Sequence, residues 1–71
     1  MWELRTTDTF EDTLVRSDVA DVELDDMKIF LRRHLRGVAC QYRVRHETPN
    51  RIVVTVAATG NDVLYLSRVL L

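Results

Sequence analysis

The fold is decided by residues 38–58, which read VACQYRVRHETPNRIVVTVAA. From Val38 to Glu47, apolar and polar residues alternate, a pattern typical of a strand with one buried face. After the turn-forming residues 48–50, residues 51–58 are rich in β-branched side chains, which favour strands. The short connection predicts an antiparallel hairpin with strands at 38–47 and 51–58.

A helix is predicted on the N-terminal side of this hairpin. Leu24, Met27, Leu31 and Leu35 recur at helical spacing. Acidic residues fall in the first turns of this segment and basic residues in its last turn, so both groups complement the helix dipole. Gly37 is placed to end the helix.

A second helix is predicted on the C-terminal side of the hairpin, from Val63 to Leu71. Residues 59–62, Thr-Gly-Asn-Asp, include side chains that cap helix N-termini, and apolar residues follow at helical spacing. Further apolar residues lie outside that stripe, and surplus apolar surface on a small domain favours an interface. We therefore predict a homodimer interface at Leu64, Val69 and Leu71.

The N-terminal segment is less clearly patterned. Trp2 and Leu4 alternate with charged residues, which predicts a short strand. Residues 9–16 are compatible with a short helix or with a second strand. The sequence thus predicts one domain, 1–71, of the α+β class. Its small antiparallel sheet consists of the hairpin 38–47/51–58 and a short N-terminal strand, with two helices packed on one face.

Length and composition restrict the chain to a small globular domain. It has 71 residues, of which 46% are hydrophobic and 30% are charged. A chain of this length buries only about 60% of its unfolded surface, so a second copy would add stability. No apolar run approaches the roughly 18 residues of a membrane helix, and Met1–Arg5 does not resemble the start of a signal peptide. We expect a cytoplasmic protein without membrane contact.

The charges are divided between the two parts of the chain. Residues 1–27 hold nine acidic and two basic residues, whereas residues 28–71 hold eight basic and two acidic residues. Three interpretations are open: solvated surface ion pairs of little energetic weight, an acidic docking surface for a basic protein, or a basic surface for nucleic acid. The candidate acidic residues are Asp18, Asp21, Asp25 and Asp26, and the candidate basic residues are Arg32, Arg36, Arg43 and Arg45.

Catalytic chemistry has little support in the sequence. Cys40 and His46 lie on the same strand face but roughly 20 Å apart along an extended strand, so they cannot form a nucleophilic pair. His34 and His46 have no recognised metal-ligand spacing, and the two glycines form no phosphate-binding loop. We therefore predict no enzymatic activity, no metal site and no cofactor.

The sequence favours a small protein-binding module. The divided charge, the missing catalytic groups and the surplus apolar surface together suggest an inhibitor or regulator that binds another protein. Phage-type proteins that counter host defences or take over host functions share this size and two-signed surface. The alternative is a nucleic-acid-binding domain that uses an arginine strip. The absence of predicted aromatic residues beside that strip argues against the alternative, because bases stack on aromatic rings.

Overall fold

The structure is a computed structural model and describes residues 1–8, 11–35 and 41–69. Within these ranges the chain forms five strands, an α-helix and a short 3-10 helix. The helix α1 spans Met27–His34, and the 3-10 helix spans Asp21–Leu24. The strands are β1 (Trp2–Asp8), β2 (Glu11–Val19), β3 (Tyr42–Thr48), β4 (Arg51–Val56) and β5 (Asp62–Arg68).

All five strands belong to one antiparallel sheet with the order β2-β1-β5-β4-β3. The predicted architecture, two helices packed on a small sheet, is therefore wrong. The sheet is the main element, and residues assigned to the second helix form its central strand β5. Strands β1 and β4 pair with β5 on its two sides, so its backbone groups are used in two ladders.

The central position of β5 explains why its sequence was misleading. Leu64 and Leu66 are buried on one face of the sheet, while Val63 and Tyr65 are half-buried on the alternate positions. Residues 63–66 are thus apolar or aromatic at consecutive positions, so the run lacks polar alternation and cannot be distinguished by periodicity from a buried helix segment. The preceding Gly60 has φ of 75° and belongs to the turn that joins β4 to β5.

The β3–β4 hairpin and the N-terminal strand are confirmed, but residues 57 and 58 of the second predicted hairpin strand form a turn and residue 41 precedes β3. β3 and β4 pair antiparallel across Pro49 and Asn50, and the Asn50 N–H donates to the Thr48 hydroxyl at 3.1 Å. Residues 11–16, one part of the ambiguous segment, belong to β2, which pairs with β1. The start of the first predicted hairpin strand and the predicted helix stop lie outside the described residues, as do residues 9, 10, 70 and 71.

The helix α1 confirms the prediction for its central turns. Asp26 caps it by accepting hydrogen bonds from the N–H groups of Lys28 and Ile29 at 3.1 and 3.3 Å. Phe30 and Leu31 are buried against one face of the sheet. The core consists of Trp2, Leu4, Val19, Phe30, Leu31, Ile52, Val54, Leu64 and Leu66.

A membrane-spanning helix needs about 20 consecutive, mostly apolar residues. Within residues 1–8, 11–35 and 41–69, no helix is long and apolar enough to cross a bilayer.

Candidate nucleic-acid interface

The two faces of the sheet differ in what covers them. Core residues such as Leu4, Val54 and Leu66 point to the face that packs against α1. Because side chains alternate along strands, the residues between them point to the opposite face. No helix of the described part of the chain packs there. We call this surface the open face and define it by Glu3, Arg5, Leu14, Arg43, Arg45, Glu47, Arg51, Val53 and Tyr65.

A single row of paired residues crosses the middle of the open face. Arg45 on β3 pairs with Val53 on β4, which pairs with Tyr65 on β5. Tyr65 pairs in turn with Arg5 on β1, and Arg5 pairs with Leu14 on β2. The row therefore has an aliphatic and aromatic centre with an arginine on each side.

The polar side chains of the open face are held by their neighbours. Glu47 accepts hydrogen bonds from Arg45 Nη2 at 2.7 Å and from Arg51 Nε at 2.8 Å. The guanidinium carbon of Arg51 lies 4.8 Å from the ring centroid of Tyr65. The Tyr65 hydroxyl donates to Asp62 Oδ2 at 2.8 Å. These contacts connect three strands on one surface.

Val53 shows how closely these side chains cover the sheet. It is 1% exposed although it lies on the open face and outside the core cluster. Its cross-strand neighbours are Arg45 and Tyr65, so their apolar parts shield it from water. The open face therefore has a buried aliphatic residue at its centre, surrounded by exposed arginines.

The charge of the open face is positive and is concentrated toward β3. Four arginines lie on it, against Glu3 and Glu47, with Asp62 at its border. Arg5 Nε is 3.7 Å from Glu3 Oε2, which is an exposed and weak pair. On the β3 and β4 half, three arginines lie near a single acidic residue, Glu47, which pairs with Arg45 and Arg51.

The predicted basic residues are divided by the fold. Arg43 and Arg45 lie together on the open face, where Arg5 and Arg51 join them. Arg32 is exposed on α1, which covers the opposite face, and Arg36 lies outside the described residues. Sequence analysis missed Arg51 although it alternates with Val53 on a predicted strand.

Sequence analysis also missed Arg5 and, with greater consequence, Tyr65. Its segment was assigned to a helix, so it was not placed beside Arg43 and Arg45. Because residues 62–68 form strand β5, Tyr65 lies on the open face beside the arginines. The argument that no aromatic residue accompanies the arginines is therefore wrong.

The predicted acidic residues lie on or beside the helical segment. Asp21 accepts a hydrogen bond from the Trp2 indole at 2.5 Å and lies 3.7 Å from Arg68 Nη1. Asp26 caps α1, and Asp25 is exposed beside it. The geometry thus gives Asp21 and Asp26 roles within the fold.

The fourth acidic candidate belongs to a small ionic cluster. Asp18 Oδ1 accepts from Arg16 Nε at 3.0 Å. Arg16 also donates to both carboxylate oxygens of Glu23, at 2.8 and 3.1 Å, and Glu23 accepts from the Ala20 N–H at 2.9 Å. The hydrogen bonds from Arg16 and then from Ala20 lower the pKa of Glu23 to about 2, and those to Glu23 and Asp18 raise the pKa of Arg16.

The residues predicted to form an oligomer interface do not share a surface. Leu64 is 0% exposed and belongs to the core of the chain itself. Val69 is half-buried, and its N–H donates to the Met1 carbonyl at 2.8 Å. Leu71 lies outside the described residues. The apolar helix that motivated this interface does not exist, so the homodimer stays a prediction without that support.

The candidate histidines are also separated. His34 Nδ1 lies 3.0 Å from the Phe30 carbonyl on α1, whereas His46 is exposed on β3. Among residues 1–8, 11–35 and 41–69, no group of three or more His, Cys, Asp and Glu side chains has the arrangement of a metal site.

Comparison with known proteins identifies no relative. No model of a known protein family, no curated protein and no solved structure matches this chain.

Proposed function

We propose that this chain is a small, non-enzymatic nucleic-acid-binding domain that contacts phosphates through its open face. The observation that carries the proposal is the grouping of Arg5, Arg43, Arg45 and Arg51 with Tyr65 on one surface, on which no helix of the described residues packs. Nucleic-acid binding also fits the cytoplasmic location predicted from the sequence.

Arginine suits this role because of its shape and charge. Its planar guanidinium pairs with a phosphate through two parallel hydrogen bonds and stays charged at all physiological pH values. Arg43 and Arg45 are two residues apart on β3, hence roughly 7 Å along the strand. Arg51 lies on the neighbouring β4 and its guanidinium lies over Tyr65, so the basic groups extend from the β3 edge toward the centre of the sheet.

The position of the acidic residues supports the same function. Asp21, Asp25 and Asp26 lie on or beside the helical segment, which packs on the opposite face of the sheet. The shortest dimension of the molecule is 21 Å, whereas the Debye length at physiological ionic strength is about 8 Å. A polyanion on the open face is therefore largely screened from those carboxylates, and the net charge of −1 does not prevent binding.

The test is a fluorescence-anisotropy titration of labelled mixed-sequence DNA and RNA over a range of salt concentrations. We expect affinity to fall steeply with salt, because bound cations release counterions from the phosphates. Loss of two phosphate contacts in Arg43→Ala/Arg45→Ala should reduce the slope of log K against log salt by about 1.4 for single strands and about 1.8 for duplex DNA.

The matched control is Arg32→Ala/Arg33→Ala. It removes the same charge from α1, so it should retain the slope of the unmodified chain. Equal losses in both double variants would show that total charge, not the open face, governs binding. Absence of binding at low salt would refute the proposal.

Protein binding, inhibitory or regulatory, is the second candidate function. Leu14 and Val15 are 48% and 47% exposed on β2, which is an edge strand of the sheet. An edge strand that exposes apolar side chains can add a strand from another chain, a second copy in the first instance, although β2 also carries four charged residues. Register shifts between β1 and β2 make this edge a less regular template, which ranks it second.

Light scattering tests the strand-addition candidate. We expect a dimer at micromolar concentration and a monomer after Val15→Lys, because a charge on the edge opposes pairing. A monomer before the substitution would exclude self-association through β2.

A further inference from the structure

We infer that the stacked pair of Arg51 and Tyr65 receives an unpaired base, so that the ligand of the open face is a single-stranded nucleic acid. This inference rests on the proposed function and specifies its ligand. It predicts preference for exposed bases, which phosphate contacts alone would not produce.

The first argument is the position of Tyr65. β5 is the central strand of the sheet, and Tyr65 is half-buried at the middle of the open face. Aromatic rings on sheet surfaces stack with bases whatever their sequence, because every base has a flat π surface. A ring at the centre of the sheet can receive a base while the nucleic-acid backbone on either side of that base continues across the neighbouring β-strands.

The second argument is that the stacking groups are ordered before binding. Arg51 is held at Nε by Glu47 at 2.8 Å, and its guanidinium carbon lies 4.8 Å from the Tyr65 centroid. The Tyr65 hydroxyl is held by Asp62 at 2.8 Å. Groups already fixed in position lose little conformational entropy when a ligand binds. A guanidinium plane also stacks with bases, so the pair offers two flat surfaces.

The third argument is the placement of arginines on both sides of the ring. In the central row, Arg45 and Arg5 lie on β3 and β1, three strand spacings or about 14 Å apart, with Tyr65 between them. A single strand of nucleic acid that crosses this row would meet one guanidinium before the stacked base and another after it. In a duplex the bases stack on each other and expose only their edges, so the ring would have no base face to contact.

The experiment compares three labelled ligands of equal phosphate number. The first is a single-stranded oligonucleotide, the second is the same backbone with base-free sites, and the third is the corresponding duplex. All three are made as DNA, and the single strand is also made as RNA. With the unmodified chain, we expect the base-free ligand to bind roughly 5- to 100-fold more weakly than the intact strand. The duplex should also bind more weakly than the single strand.

Two substitutions connect this difference to the stacked pair. Arg51→Lys keeps the charge but loses the flat guanidinium, and Tyr65→Leu removes the ring. Each substitution should weaken binding of the intact single strand. Each should leave binding of the base-free ligand nearly the same. Tyr65→Phe keeps the ring and should restore most of the affinity that leucine loses. Arg33→Lys on α1 is the inert control. Circular dichroism checks that each variant is folded.

The outcomes separate the inference from the proposed function. Equal, salt-dependent binding of intact and base-free ligands by the unmodified chain would retain nucleic-acid binding and overturn base stacking. Absence of binding to all ligands at low salt would overturn both. Because this comparison uses the unmodified chain, it remains decisive even if a Tyr65 variant fails to fold.

Discussion

Arg16 and Glu23 are joined by two hydrogen bonds, of 2.8 and 3.1 Å, that connect strand β2 to the 3-10 helix. The same carboxylate accepts the Ala20 N–H, so one side chain fixes the turn by which the chain leaves the sheet. This geometry orients the segment that leads into α1. It also makes the helical layer sensitive to the protonation of a single acid.

The first prediction concerns the pH dependence of stability. The pKa of Glu23 is lowered from its ordinary 4.5 to about 2 by the hydrogen bonds from Arg16 and Ala20. Because the pKa of Glu23 is lower in the folded chain than in the unfolded chain, its carboxylate stabilises the fold at pH values above the unfolded-state pKa. This contribution is lost as the pH falls from about 4.5 toward 2. Glu23→Gln should lower the melting temperature at pH 7, and its difference from the unmodified chain should shrink over that acidic interval.

Asp25→Asn is the control for Glu23→Gln, because Asp25 is an exposed acid on the same segment. Thermal melts from pH 2 to pH 7 distinguish the two variants. A melting difference for Glu23→Gln that stays constant across the acidic range would contradict the assigned pKa.

The second prediction concerns Asp21, which orients the only tryptophan of the chain. Trp2 is buried, its indole donates to Asp21, and Arg68 stacks on its ring with its guanidinium carbon 4.6 Å from the centroid. Asp21→Ala leaves the indole N–H without this acceptor, so we expect a loss of about 1 kcal/mol in the free energy of unfolding. Urea denaturation followed by Trp2 fluorescence measures it, with Asp25→Ala as a variant that should lose less.

The third prediction separates a core role from an interface role at Leu64. Leu64 is fully buried between β1 and β4, so Leu64→Ala should lower the free energy of unfolding by about 3 kcal/mol. The milder Leu64→Val should cost about 1 kcal/mol and keeps the effect measurable if the alanine variant does not fold. Val22→Ala, at an exposed site, is the control. Dissociation of an oligomer without loss of stability would instead assign Leu64 to an interface.

Local patterns were sufficient to predict the β3–β4 hairpin, the body of α1 and the strand at Trp2. In each case, alternation or helical spacing agreed with the turn or cap residues beside it. Arg43 and Arg45 were placed correctly on an exposed strand face for the same reason. These features depend on contacts close in sequence.

Strand β5 and the site around Tyr65 could not be predicted in that way. The Val-Leu-Tyr-Leu run has no polar residue to mark a strand period, and the strands β1 and β4 that pair with it are distant in sequence. The Thr-Gly-Asn-Asp segment before it fits a helix start or a turn between strands. Arg5 meets Tyr65 only through the β1–β5 ladder, which local periodicity does not reveal.

The last prediction concerns the turn that decides between these alternatives. Gly60 has φ of 75°, its N–H donates to the Val56 carbonyl at 2.7 Å, and an added Cβ would meet nothing within 4 Å. The cost of a side chain there is therefore conformational rather than steric crowding by neighbours. Gly60→Ala should lower the free energy of unfolding by about 1 kcal/mol, because L-residues disfavour this region.

Gly60→Asn distinguishes conformation from space at this turn. Asparagine is larger than alanine but adopts the left-handed region more readily, so it should cost less than alanine. Urea denaturation of the three proteins side by side gives the comparison. If asparagine costs more than alanine, the bulk of the side chain rather than φ controls the turn, and the β4–β5 connection is more crowded than its geometry indicates.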